Sequence, residues 1–327
     1  MSGPHPAVAE IRSAVRSALL THPGPALVAC SGGADSLALA AAAAFVGPRL
    51  GRPIGLVTVD HGLQAGSADR AHAVAAWASS VGFAPVEIAR VTIDPADPAG
   101  PEAAARHARY QALYAYATGA VLLGHTLDDQ AETVLLALAR GAGLRGLSGM
   151  PTSRVVDGVT LVRPLLGVRR ATTWAACEAL GLKPWADPHN SDDRYARSRV
   201  RTTLLPTFVE VLGDAVVANL AETARQAARD ASYLDAVAAD ALLDCADGEG
   251  LSVAALTALA PAVRTRVLHA WALAIGATAA ALGHKHVDAL DALITAWHGQ
   301  GPTALPGGIH VARHGGRLMV PAAPPPE

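Results

Sequence analysis

Short apolar runs alternating with helix-compatible stretches make the first half of this 327-residue chain an α/β domain on a parallel sheet. The strand-like runs, at 26–29, 54–59, 85–91 and 120–123, lack polar alternation, as expected of strands buried on both faces. Beyond the loop at 184–193 the pattern turns helical up to residue 297, and a segment at 301–320 punctuated by Pro306-Gly307-Gly308 and Gly315-Gly316 reads as a terminal hairpin. The predicted order begins with strand 26–29, a polar loop and helix 36–45. Strand 54–59, helix 67–81, strand 85–91, helix 101–118 and strand 120–123 follow, and the motif at 124–133 opens another helix. A glycine-rich connection covers 141–149. Val155 to Leu166 is expected to form a hairpin around Asp157-Gly158, followed by helix 169–180 and a long helical run over 214–244. The domain division is expected as 1–211 and 212–327, the second part being a helical linker and C-terminal domain.

Composition narrows the function classes. The three cysteines, Cys30, Cys177 and Cys245, are widely spaced without a CxxC pair, which fits a reducing, cytoplasmic setting and disfavours zinc or iron–sulfur ligation. The longest apolar stretches fall short of the roughly 18 to 20 residues of a membrane span, so no membrane partner is expected. Charge is scattered between Glu10 and Arg16 with no apolar region leading to a cleavage signal, so the N-terminus reads as a helix of the mature protein. A net charge of −2 argues against indiscriminate coating of nucleic acid. Residues 140–201 nevertheless carry eleven Lys and Arg against five Asp and Glu, so a polyanion would meet the middle of the chain first.

Four motifs carry the chemistry. Ser31-Gly32-Gly33-Ala34-Asp35-Ser36 joins the first strand to a helix. Paired glycines permit a close backbone approach, and a helix N-terminus favours a phosphate. The loop has neither the Walker lysine nor dinucleotide spacing, and Asp35 inside an anion-friendly turn points to a nucleotide carrying a divalent cation such as Mg2+. Gly124-His125-Thr126-Leu127-Asp128-Asp129-Gln130-Ala131-Glu132-Thr133 opens the helix after the fourth strand. Asp129 and Glu132 share a face there with His125 just upstream, giving acid, base and cation-binding capacity beyond what capping requires. Arg106 and Arg109 lie on a helical face that Glu102 shares by its spacing, and a solvated, salt-bridged face accounts for them equally well. Arg194, Arg197 and Arg201 fall on one face of a further helical stretch, where closely spaced like charges suit phosphate contact. Asp60, ending the second strand in Val59-Asp60-His61-Gly62, is as well suited to cap a turn as to touch a ribose.

These residues resemble a family. The loop at 31–36 is similar to the SGGxDS loop of the PP-loop ATP pyrophosphatases. Val59 to Gly62, Arg106 with Arg109-Tyr110, Gly124 to Thr133, Leu144-Arg145-Gly146 with Gly149-Met150, Arg163-Pro164-Leu165-Leu166 and Trp185 to Arg201 occur in the order found in the tRNA(Ile)-lysidine synthases. Two details depart from that pattern. The chain has Ala186-Asp187-Pro188-His189-Asn190 where an acidic residue and Asp-Pro-Ser-Asn are typical, and Ser198 where Asn is usual.

The resemblance implies an adenine nucleotide alpha hydrolase-like PP-loop domain and ATP-dependent attachment of free L-lysine to the wobble cytidine of a CAU-anticodon tRNA(Ile), through an adenylated intermediate. Ser31, Gly32, Gly33, Ala34, Asp35 and Ser36 would bind ATP, with Mg2+ at Asp35 and Asp128 assisting. Asp129 and Glu132 would hold and deprotonate lysine, and His125 with Arg106 or Arg109 would stabilise the intermediate. Arg194, Arg197 and Arg201 would contact tRNA, the C-terminal part would add tRNA recognition, and a homodimer is implied by the resemblance alone. Two other functions compete: a PP-loop tRNA thiolase and a non-enzymatic ATP-dependent RNA-binding protein. The first would call for a sulfur-handling cysteine or cluster. The second has no use for three clustered carboxylates.

Overall fold

The computed structural model describes residues 3–62, 66–92, 101–185 and 193–321, with side chains from 104 onward in the third segment. The Glu102 side chain, the motif at 186–190 and the tail beyond residue 321 lie outside the described residues. The chain forms two compact units, Met1–Gln226 and Ala227–Glu327.

The first unit begins with α1 (Pro6–Thr21), whose Val8, Ile11, Val15 and Leu19 recur at helical spacing and are all buried. It continues through β1 (Ala26–Ala29), α2 (Ala34–Arg49), β2 (Ile54–Asp60), α3 (Ser67–Ser80), β3 (Val86–Arg90), α4 (Pro101–Tyr116), β4 (Ala120–Leu123) and α5 (Leu127–Ala139). A short α6 (Leu144–Leu147) interrupts the glycine-rich connection before β5 (Ser153–Val156), β6 (Val159–Val162) and α7 (Arg170–Ala179). The expected hairpin is β5–β6, turning through Asp157 at φ 50° and Gly158 at φ 78°, the positive pair that a tight hairpin turn requires.

The sheet order is β3-β2-β1-β4-β6-β5, parallel throughout except for the antiparallel edge strand β5. As expected for strands covered on both faces, alternate residues enter different cores. Val28, Leu56 and Leu122 pack with α1, α2 and α7, whereas Leu27, Val57, Val121 and Leu161 pack around Leu113 of α4. Chain order reverses at β1, which lies between β2 and β4. The switch point therefore falls between β1 and β4, whose carboxyl ends lead into the 31–36 loop and the 124–133 motif, the usual ligand position of such sheets.

After residue 193 come a single turn α8 (Ala196–Arg199), a π-helical stretch (Val200–Leu204), α9 (Leu205–Leu212) and the long α10 (Ala215–Cys245). Val217 of α10 packs in a small core with Ala131, Leu135, Val200 and Leu205, so the first turns of α10 belong to the first unit.

In the second unit, β7 (Ala246–Asp247), β8 (Gly250–Ser252), β9 (Thr303–Leu305), β10 (Ile309–His314) and β11 (Arg317–Met319) form one sheet in the order β7-β8-β11-β10-β9. The predicted terminal hairpin is thus part of a larger sheet, because β11 also pairs with β8. The helices α11 (Val253–Ala258), α12 (Pro261–Ala274) and α13 (His284–Thr295) contribute Leu256, Leu268, Leu290 and Leu293 to its core. Among the described residues no single helix is long and apolar enough to cross a membrane.

Candidate active site

The loop between β1 and α2 is a closed framework built on Ser36. The Ser36 hydroxyl donates to the Gly33 carbonyl (2.9 Å), accepts from the Ser31 N–H (3.1 Å) and meets the Ser31 hydroxyl at 3.2 Å. Gly32 sits at φ +84°, a conformation strained for any other residue, and its carbonyl accepts the Trp185 N–H at 2.9 Å. Gly33 caps α2, whose first-turn N–H groups face the loop as helix geometry dictates. Gly124, just beyond β4, lies so close that a Cβ would stand 3.1 Å from the Asp35 backbone, which binds the loop to the second motif.

Thr126 and Asp129 form a capping box at the start of α5. The Thr126 N–H and hydroxyl donate to Asp129 Oδ2 at 2.8 and 2.9 Å, and the Asp129 N–H returns to the Thr126 hydroxyl. Three arginines converge on the same carboxylates. Arg170 Nη2 meets Asp129 Oδ1 at 2.9 Å and its Nη1 meets Glu132 Oε1 at 3.0 Å. Arg197 Nε reaches Glu132 Oε2 at 3.0 Å. Arg201 reaches Glu132 Oε1 at 2.8 Å and Asp129 Oδ1 at 2.9 Å. Glu132 has no solvent exposure. Asp35 joins the network through the Thr173 hydroxyl and through Arg170 Nε at 3.5 Å, and Asp128 Oδ2 accepts the Arg170 backbone N–H at 2.7 Å and lies 3.4 Å from Arg169 Nε. Four carboxylates are thereby matched by four guanidiniums.

The electrostatics follow from this packing. Burial opposes ionisation of Asp129, but Arg170, the Thr126 N–H, Arg197 and Arg201 outweigh it and bring its pKa down to about 2. Burial raises the Asp35 pKa despite Thr173 and Arg170. It also lowers that of His125, and Arg109, Arg163 and Arg197 add to the effect against the pull of Asp129, leaving the ring neutral down to about 3. His125 is therefore neutral at physiological pH. Its stabilisation of the fold is complete above the ordinary histidine value of 6.5 and is lost as pH falls from there towards about 3. Calorimetric melting between pH 7.5 and 4.5 is expected to show that loss, with a smaller one in His125→Gln; an identical pH profile would contradict it.

Residues 8–208 match the family model described as a PP-loop domain, and residues 251–319 match the TilS substrate binding domain. The tRNA(Ile)-lysidine synthase of Salinispora tropica is 63% identical over 321 residues, 96% of each chain, and that of Thermobifida fusca is 52% identical over 98% of this chain and all of its own. The chain belongs to the tRNA(Ile)-lysidine synthase family. The fold alone is shared with the U34-tRNA thiolase NcsA from Methanococcus maripaludis, at a TM-score of 0.56 and 18% identity over 68% of this chain and 80% of that one.

Within this lysidine synthase fold, Ser31 to Ser36, Asp128, Asp129, Glu132 and His125 come together at the carboxyl edge of the sheet. Arg106 and Arg109 gather around Tyr110 on α4. The expected arginine face is arranged differently. Arg194 precedes α8 and packs towards Tyr195, whereas Arg197 and Arg201 face the carboxylates. The π-helical stretch contains Arg201, and such local widening of a helix is frequent at functional sites. Asp60 accepts the Gly62 N–H at 3.0 Å, the turn-capping arrangement.

Residue-by-residue reading missed Arg169, Arg170 and Thr173 altogether. A signal existed for the arginines: two guanidiniums at the start of a helix oppose its dipole and call for compensating carboxylates.

Proposed function

We infer that this chain ligates L-lysine to C2 of the wobble cytidine of a CAU-anticodon tRNA(Ile), consuming ATP and releasing AMP and pyrophosphate. Such lysidine formation changes codon reading from AUG to AUA. The observation that carries the assignment is the Asp129–Glu132 carboxylate pair beside a phosphate loop, because the reaction needs an anionic pocket for an amine next to an adenylation site.

ATP lies with its phosphates over Ser31 to Ser36 and the α2 N-terminus. Cytosine O2 attacks the α-phosphorus and pyrophosphate leaves into the loop. The lysine amine then attacks C2, and the C2–O2 bond breaks with O2 departing in AMP. Free lysine arrives protonated, with an amine pKa of about 10.4, so the site must hold the ammonium and then take a proton from it.

The two carboxylates divide these tasks. Asp129, tied into the capping box and ionised down to about pH 2, is a holder of positive charge and a weak base. Glu132 has only guanidinium partners among the described residues and no part in the helix cap, so it is assigned the proton. An ammonium bound to these carboxylates would share them with Arg170, Arg197 and Arg201. His125 with Arg109 or Arg106 would stabilise the adenylated cytosine, and Arg194 with the second unit would contact tRNA.

Asp35 suits a Mg2+ brought by the nucleotide, since that ion takes one or two protein carboxylates plus phosphate oxygens, and no group of three or more acidic, His or Cys side chains forms a cage among the described residues. Bound there, Mg2+ would screen phosphate charge. Cys30 and Cys177, which both touch the loop, are buried, and burial pushes both thiols up, Cys177 to about 11, away from the thiolate that sulfur transfer needs.

Incubating the protein with transcript tRNA, labelled ATP and either lysine or a sulfur donor tests this reading. Pyrophosphate release and a nucleoside with the mass of lysidine are expected. A thionucleoside, or ATP binding with neither product, would overturn it.

A further inference from the structure

Beyond the balanced network lie three guanidiniums that have no carboxylate partner among the described residues. Arg106 and Arg109 come from α4, and Arg163 follows directly on β6, next to the strand that leads into His125. Among the described residues none of the three forms an ion pair, whereas Arg169, Arg170, Arg197 and Arg201 all do. Arg106 Nη2 donates to the Tyr110 hydroxyl at 3.3 Å, and the guanidinium centres of Arg106 and Arg109 stand 5.0 and 5.3 Å from the Tyr110 ring centroid. Against the burial of the phenol, the charges of Arg106, Arg109 and Arg163 all bear on it and pull its pKa down.

Arg163 is 7% exposed and is anchored by Nη1 to the Pro151 carbonyl at 2.8 Å. Its Nε has no hydrogen-bond partner, and neither do Arg109 Nε and His125 Nδ1. Buried donors are ordinarily satisfied, and buried charge is ordinarily paired. One neutral phenol cannot balance three guanidiniums, so among the described residues the cluster carries an excess of positive charge.

We propose that Arg106, Arg109 and Arg163, gathered around Tyr110 beside His125, form a phosphoryl-anion subsite, with Arg163 as its buried anchor. Arginine forks match phosphate oxygens in geometry and charge. The shared chemistry is a phosphate oxyanion, borne by the RNA acceptor or by the nucleotide. The RNA backbone is the expected source, because Arg163 follows β6 and His125 follows β4, on the side of β1 away from β2, while the loop assigned to ATP follows β1 itself. The inference rests on the reading of the chain as a tRNA-modifying ligase and adds to it Arg163, Tyr110 and the class of ligand they receive.

Arg163→Gln, Arg163→Lys and Arg106→Gln in the full chain test it, with tRNA transcript and ATP titrated separately at several salt concentrations and melting curves as the check on folding. For an RNA phosphate, Arg163→Gln weakens tRNA binding about tenfold and lowers the salt slope by about 0.7 to 0.9, the value of one phosphate contact, with ATP affinity unchanged. Arg163→Lys recovers part of the loss, and exposed Arg106→Gln shows a smaller change of the same sign. For a nucleotide phosphate, ATP affinity falls and the tRNA slope is kept. Unchanged binding of both ligands in folded Arg163→Gln and Arg106→Gln overturns the subsite. Wild-type protein that makes no lysidine would instead overturn the parent reading, so the two failures are distinct.

Discussion

Asp129→Asn is expected to fold and to reduce lysidine formation by at least about a hundredfold, the scale of losing a charged group that acts on a reacting centre. The amide oxygen can still accept the Thr126 N–H, so the helix cap, worth about 1 kcal/mol, is largely kept. What disappears is the negative charge that Arg170, Arg197 and Arg201 now share and that an ammonium would need. Single-turnover assays alongside melting curves separate the two effects. Turnover near the wild-type rate in a folded variant would remove Asp129 from the lysine pocket.

The Arg197→Ala, Arg201→Ala double variant is expected to lose turnover by a similar factor while its tRNA salt slope stays nearly constant. Sequence reasoning placed both side chains on RNA phosphates, where each would add roughly 0.7 to 0.9 to that slope. Here they lie on Glu132, which is fully buried and would keep only Arg170. Breaking a buried pair costs about 3–5 kcal/mol; these arginines are a quarter to a third exposed, which discounts that figure, yet a lowered melting temperature is still expected. Binding at several salt concentrations decides the matter: a slope reduced by one to two would return both arginines to the RNA.

Much of the first unit was legible because its signals are local. Apolar runs gave the buried strands, and Asp157-Gly158 marked the β5–β6 turn. The helix expected over 36–45 runs from Ala34 to Arg49, since Gly33 rather than Ser36 caps it and Pro48 is accommodated in its last turn. The site was legible where one motif held its own partners, as in the loop closed by Ser36 and the box of Thr126 and Asp129. It was not legible where partners come from distant elements. Arg170 meets Glu132 across 38 residues, and Thr173 meets Asp35 across 138. No periodicity encodes such contacts. The division was expected between 211 and 212, in the helical linker; Val217 carries α10 back onto α5, and the compact units part at Gln226 and Ala227.

The central claim is that the loop serves ATP and the carboxylate pair serves lysine. Following α-phosphate-labelled ATP and labelled lysine onto tRNA in Asp129→Asn tests it most directly. The account predicts that pyrophosphate is released and AMP accumulates on the tRNA while lysine is not incorporated. Failure to release pyrophosphate, with ATP and tRNA both bound, would place Asp129 in the adenylation half and contradict the division.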